Sequence, residues 1–298
     1  MPRPNYSEKD RIMHISELHI KTTNAIIDAM KTAGTGWTKN WAPRGGKAPT
    51  SISTGKPYNG INVLILGMAN MAHGYSSNEY GTFKAWKNKA CGVGKGEKAA
   101  AYIVWYGSGT RQVANDDGTE ETKHWKSAKV SAVFNAEQVD GYTPSDIGDV
   151  SAPIVEADTA MDKLAHSVGA DVRNADLAKA FYVPSADYVN MPRIDQFDSA
   201  EGYACTLGHE LTHWTGHVSR LDRNLNQGKW SNDNYAFEEL VAELGSAFLA
   251  ASLGISIEPR DDHAKYINGW IKQLKDKPSS LMSAASKAQH AATYLLPS

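Results

Sequence analysis

No apolar run approaches the roughly 20 residues needed to cross a bilayer. The first ten residues, Met1 to Asp10, are polar and charged, without the apolar centre of a signal peptide. Cysteine is nearly absent: Cys91 and Cys205 are the only two in 298 residues. Two so far apart make no disulfide framework, and neither belongs to a Cys-x-x-Cys pair. These absences argue against a membrane-embedded or disulfide-stapled protein and make the cytoplasm the expected location. There is no internal repeat and no low-complexity tract, and the patterns of zinc fingers and basic zippers are missing. Neither a solenoid nor one of the common double-stranded DNA readers fits.

What is present is ordinary globular composition, 41% hydrophobic and 21% charged, on a chain long enough for two cores. The net charge of -2 hides a split. Through Val130 there are 18 Lys and Arg against 10 Asp and Glu; from Ser131 onward there are 13 against 23. A basic module joined to an acidic one suggests two different partners.

Periodicity places the elements. A helix is expected over residues 7–30, followed by a Gly-, Pro- and Trp-rich stretch from Trp37 to Pro57. Ile61 to Leu66 suits strand or helix, and Thr82 to Trp86 a helix. Two strands, Ala99 to Tyr106 and Lys126 to Phe134, flank a polar hairpin at 111–122. In the second half, helices are expected at 155–169, near 199–216, at 235–253, at 264–274 and at 279–296. Two short strands, 181–184 and 188–192, surround a turn at Asp187. The reading is α+β: a mixed α/β nucleic-acid-binding unit at 1–135, a linker at 136–154, and a mainly helical unit with a small sheet at 155–298.

The chemistry concentrates in Gly208-His209-Glu210-Leu211-Thr212-His213-Trp214. Histidines four apart lie on one side of a helix, one turn above the other, and can share a metal. Glu210, between them, is placed as general base toward a water at that metal. A catalytic zinc needs a third protein ligand and one open position. The run Glu238-Glu239-Leu240-Val241-Ala242-Glu243 offers it. Glu239 is assigned as ligand and Glu243, one turn on, as the carboxylate behind a ligand histidine, with the reverse assignment as rival. Glu238, about 100° away on the helix, reads as a solvated surface group. His217 follows His213 by four, but a straight helix would carry it about 12 Å from His209 along the axis. Tyr235, Arg220, His217 and His263 are the candidate donors to an oxyanion. Tyr188 to Met191 is the candidate edge strand for an extended peptide.

The basic half interleaves lysines with aromatics. Lys84, Lys87, Lys89, Lys95 and Lys98 fall near Trp86 and Trp105, and five of the eight tryptophans precede residue 130. Lysines contact phosphates without regard to sequence, and exposed rings stack on single-stranded bases. The competing assignment puts the rings in a core and the lysines on a solvated face.

Three stretches of the first half carry a likeness: 54–62 (TGKPYNGIN), 80–84 (YGTFK) and 93–98 (VGKGEK). Two of the second half join them, 208–217 (GHELTHWTGH) and 238–245 (EELVAELG). Together they resemble the ArdC-type antirestriction proteins of conjugative plasmids. The resemblance implies an N-terminal domain for single-stranded DNA and a C-terminal zincin-like metallopeptidase domain. It carries metal binding onto His209, His213 and Glu239, and the general base onto Glu210; the ligand types themselves point to zinc, with manganese left open beside it. It further implies protection of incoming plasmid DNA from host restriction, with a protein substrate or the host restriction enzyme as second partner. Two other functions compete: a DNA-binding or restriction-enzyme-blocking module whose metal site is structural or vestigial, and a metal-dependent nuclease. Two histidines and a glutamate suit zinc better than the oxygen-rich magnesium sites of phosphate chemistry.

Overall fold

The computed structural model describes residues 15–41, 48–114, 120–146, 157–174, 177, 179–225, 232–257 and 264–297. Within them the fold is α+β. In the first half, α1 (Ile15–Ala33) runs into a 3-10 turn at Gly34–Trp41. After β1 (Thr50–Ser51), α2 (Ile61–His73) settles the ambiguous apolar run as a helix. It is buried on nearly every side, which is why no period showed. β2 (Glu79–Gly81), α3 (Phe83–Asn88) and β3 (Gly92–Val93) follow, then the long strands β4 (Ala101–Ala114) and β5 (Glu120–Asn135).

The sheet order is β1-β2-β5-β4. β4 and β5 form an antiparallel ribbon paired from Ala101↔Val133 to Ala114↔Glu120. The ladder therefore extends through much of the segment expected as a polar hairpin. Beyond Trp105 the described side chains on both faces are mostly exposed, so no hydrophobic alternation marks the strands. At the inner end, Asn62 of α2 acts as a substitute strand. Its amide donates to Val104 O at 2.8 Å and its Oδ1 accepts from Val104 N at 2.9 Å.

Residues 136–146, at the start of the expected linker, are folded onto this sheet. β6 (Val139–Asp140) pairs with β3. Tyr142 donates to Glu79 Oε2 at 3.0 Å, and Ser77 donates to Asp146 Oδ1 at 2.7 Å.

The second half holds α4 (Ala157–Ser167), β7 (Asp171–Asn174), β8 (Phe181–Val183), β9 (Tyr188–Met191) and four helices. These are α5 (Ala200–Thr215), α6 (Asn232–Leu253), α7 (Ala264–Asp276) and α8 (Ser279–Leu295). The small sheet has the order β7-β9-β8. β9 is thus the central strand, its backbone paired on both sides, which corrects its assignment as the edge for a peptide. The antiparallel edge is β8.

One continuous apolar core includes residues of both halves. α1 packs on α7 and α8. Thr23 Oγ1 donates to Pro278 O at 3.0 Å, and Trp37 meets Trp270 edge-on at 6.2 Å. No described helix is long and apolar enough to cross a membrane.

Candidate metal centre

α5 begins where Ser199 accepts a hydrogen bond from Gly202 N at 2.9 Å, with Glu201 in the first turn, and ends at Gly216. It is packed against α4, α6, α8 and the strands β8 and β9. Leu207 and Leu211 are fully enclosed, each contributing about 1.5–3 kcal/mol of burial. His209, Glu210 and the pair Glu239 and Glu243 on α6 are buried with them. Carboxylates are rarely enclosed this way unless paired or coordinated.

His209 and His213 face each other, Nε2 to Nε2, at 3.1 Å. Glu239 straddles them, with Oε2 at 3.5 Å from His209 Nε2 and Oε1 at 3.6 Å from His213 Nε2. One ligand atom from each of the three lies within 4.8 Å of the others. Donors 2.0–2.1 Å from a tetrahedral ion stand about 3.3 Å apart. The observed spacings bracket that figure, so two nitrogens and a carboxylate fit one divalent cation.

Behind His209, Glu243 Oε2 lies 3.7 Å from Nδ1. Behind His213 stands Glu238, its Oε1 3.3 Å from Nδ1. Glu238 is buried, not the solvated group that helical position suggested, and Arg223 reaches its Oε1 at 2.8 Å. Neither Glu238's role nor Arg223 was legible by spacing.

The electrostatics agree with a site organised around positive charge. Burial pulls the His213 imidazole down, but Glu238 and Glu239 outweigh it and push it up to about 10. Burial pushes Glu239 up, but hydrogen bonds from His209 and His213 hold it well below the usual carboxylate range.

The four expected oxyanion donors separate. Tyr235 rises from α6 one turn before Glu239, half exposed. Its hydroxyl lies 2.9 Å from that of Tyr266. Burial raises its pKa first, with Tyr266 and Glu239 adding to the shift. Arg220 is committed elsewhere: Nε donates to Trp214 O at 2.7 Å, Nη1 to Asp187 Oδ2 at 3.0 Å, and the guanidinium covers the Trp214 ring at 3.7 Å. His217 lies past the helix end with Nδ1 2.8 Å from Ser219 Oγ, outside the three-residue cluster. His263 falls outside the described residues.

In the first half, Lys84, Lys87, Lys89, Lys95, Lys98 and Trp105 are exposed. Trp86 is a correction: it is wholly buried against Ala136 and Val139, with its ring N–H donating to Phe134 O at 3.2 Å, and offers no face to a base. Exposed rings that the sequence did not single out as sites are Phe83 and Tyr106.

Comparison with known proteins is consistent with both halves. Residues 16–134 match the profile of the N-terminal domain of the anti-restriction factor ArdC, and residues 159–287 that of a zincin-like metallopeptidase. The metal-free crystal structure of antirestriction protein ArdC from plasmid R388 superposes with a TM-score of 0.75 at 37% identity. The match covers 94% of this chain and 96% of that one. The chain belongs to the ArdC family of antirestriction proteins. The Mn(II)-bound form of the R388 protein matches at 36% identity with a TM-score of 0.71, covering 93% of this chain and 96% of that one. Together with the donor set above, it supports a divalent metal. An uncharacterized protein of Sinorhizobium fredii, y4eC, is 33% identical over 94% of this chain and 92% of its own length. A DNA primase TraC of Escherichia coli is 34% identical over 93% of this chain but only 27% of its own length.

Proposed function

We propose that this ArdC-family chain binds single-stranded DNA and shields incoming plasmid DNA from host restriction during conjugation, in the cytoplasm. We further assign it a zinc-dependent peptidase site formed by His209, His213 and Glu239, with manganese as the alternative ion. The convergence of those three buried side chains from two helices carries the peptidase reading. A bound zinc would polarise a peptide carbonyl and make a water acidic enough to attack it. Glu210 would take the proton from that water and pass it to the leaving nitrogen. Tyr235, beside Glu239, is the donor that steadies the developing oxyanion. Glu243, with Oε2 3.7 Å from Nδ1 of His209, is the carboxylate that would orient that ring. An extended substrate would pair with β8, the antiparallel edge of the small sheet touching α5.

The nucleic-acid reading is supported by the exposed lysines 84, 87, 89, 95 and 98 and by Trp105 and Tyr106 on the ribbon. Lys129 stands opposite Trp105 in the ladder, placing a cation beside a stacking ring.

Glu210→Gln tests the catalytic claim. The variant should keep its metal and lose cleavage of a peptide library. A wild-type protein that cleaves nothing across divalent metals defeats the peptidase claim. A second reading, a DNA-binding or enzyme-blocking module with a structural metal, is favoured by the recurrence of this chain's likeness within DNA primases. Antirestriction undiminished in Glu210→Gln would select it.

A further inference from the structure

α6 brings three buried carboxylates to two histidines, and they divide by side of the ring. Glu239 faces both Nε2 atoms, Glu243 faces Nδ1 of His209, and Glu238 faces Nδ1 of His213. Glu238 is gripped from behind. The Arg223 side chain is only 3% exposed. Its Nε reaches both Glu238 oxygens at 3.1 Å, and its Nη2 reaches Oε1 at 2.8 Å. The same guanidinium donates through Nη1 to Thr215 Oγ1 at 2.8 Å, and through Nη2 to the carbonyl of Thr212. One arginine therefore ties Glu238 on α6 to the last turn of α5, the turn that carries His213.

The backbone around Arg223 is shaped for that reach. Asp222 and Asn224 on either side adopt φ of 42° and 59°, a left-handed conformation that asparagine and aspartate tolerate best among residues with a Cβ. Both are exposed while the side chain between them turns inward. At Gly216 an added Cβ would stand 2.9 Å from Arg223 Nη2 and 2.7 Å from Leu225 Cδ1. A side chain there would press on the tips of Arg223 and Leu225, so glycine leaves the guanidinium its place. A buried ion pair seldom stabilises a fold more than apolar groups of equal volume. Its reason for being here is therefore sought in the site it adjoins.

We infer that Glu238 and Arg223 are positioning residues of the metal centre, an inference resting on the metal reading above. Glu238 accepts the Nδ1 proton of His213, which fixes the ring's tautomer and leaves the Nε2 lone pair aimed at the point shared with His209 and Glu239. Arg223 holds Glu238 as an anion in that place. By neutralising it, Arg223 also keeps this carboxylate from swinging inward to compete as a ligand. The Glu238–Arg223 couple thus sets affinity and coordination geometry without touching the ion.

Co(II) and Zn(II) uptake by the full chain, measured against a chromophoric chelator together with the visible spectrum of bound Co(II), tests this. Glu238→Gln keeps shape and loses charge, Arg223→Lys keeps charge and loses the two-pronged grip, and Arg223→Met loses both. Glu238→Gln and Arg223→Met should bind metal about 10- to 100-fold more weakly. Arg223→Lys should recover part of that loss, and the Co(II) absorption of Glu238→Gln should shift. If Arg223→Met does not fold, the Gln and Lys variants carry the test. Wild-type affinity and spectrum in both of those overturn the inference and leave the metal site standing. A wild-type chain that takes up no Co(II) overturns the metal reading, and the inference with it.

Discussion

Substituting Gly245 on α6 probes how closely two helices must approach for the histidines and glutamates to meet. An alanine Cβ there would stand 2.5 Å from both Cγ2 and Oγ1 of Thr212 on α5. Carbon contacts are comfortable at about 3.5–4.0 Å, so the overlap is about 1 Å. Thr212 is fully buried, and its hydroxyl is spent on Gly208 O at 2.8 Å, so it has nowhere to turn. The helices must part instead, and that parting moves Glu239 away from His209 and His213. Overpacking of this kind costs about 1–3 kcal/mol, against about 1 kcal/mol gained by replacing a helical glycine with alanine. Because the clash falls on a rigid β-branched side chain, it wins. Gly245→Ala should lose about 1–2 kcal/mol, a fall in Tm of about 2–3 °C, and bind metal about tenfold more weakly. Gly269→Ala on α7 is the control. Its nearest neighbour is Ala236 Cβ at 3.7 Å, ordinary contact, so propensity should act unopposed and stabilise by up to about 1 kcal/mol. Differential scanning calorimetry and chelator competition read both variants. A Gly245→Ala protein that melts at or above wild type with undiminished metal affinity would refute the reasoning.

Three further outcomes are expected. With its pKa near 10, His213 carries a proton at pH 7 in the metal-free protein. Metal uptake should release about one proton, seen by calorimetry in buffers of different ionisation enthalpy, and affinity should rise with pH. The same raised pKa stabilises the metal-free fold fully below the unfolded value of about 6.5 and is lost as pH climbs through about 10. Asp187 is held below its ordinary value first by hydrogen bonding from Arg220, so its contribution is present above about pH 3.9 and fades as acid protonates the folded group. Asp187→Asn should flatten that part of the acid denaturation curve, and an unchanged curve would argue against the pairing. Trp105→Ala should weaken binding of a fluorescent oligothymidine by about 1–3 kcal/mol with its salt slope retained, whereas Lys129→Ala should reduce the slope; salt-insensitive binding would defeat the lysine–phosphate account.

The parts of the site legible in the sequence share one property: their geometry is internal to a single helix. His209 and His213 four apart, and Glu239 and Glu243 four apart, share one face of their own helix whatever else the chain does. Glu238 escaped because α6 is enclosed on most sides, and a helix without a solvent face gives no basis for calling one carboxylate outward. Arg223 escaped because its contact depends on a chain reversal after α5. The only sequence hint is a cation between Asp222 and Asn224, two residues suited to left-handed turns. Trp86 and Trp105 show the same limit in the basic half, since composition supplies the rings and packing decides which is exposed. The ribbon's outer length was illegible because strands wetted on both faces need no alternation.

α1 leaves the ribosome well before α7 and α8, two of the helices it packs against. The bond from Thr23 to Pro278 spans 255 positions. Until those two helices follow, part of the Leu18, Ile26, Ile27 and Met30 face of α1 stays uncovered. A nascent chain stalled before residue 264 would present the rest of this stripe to chaperones, so this part of the core closes late.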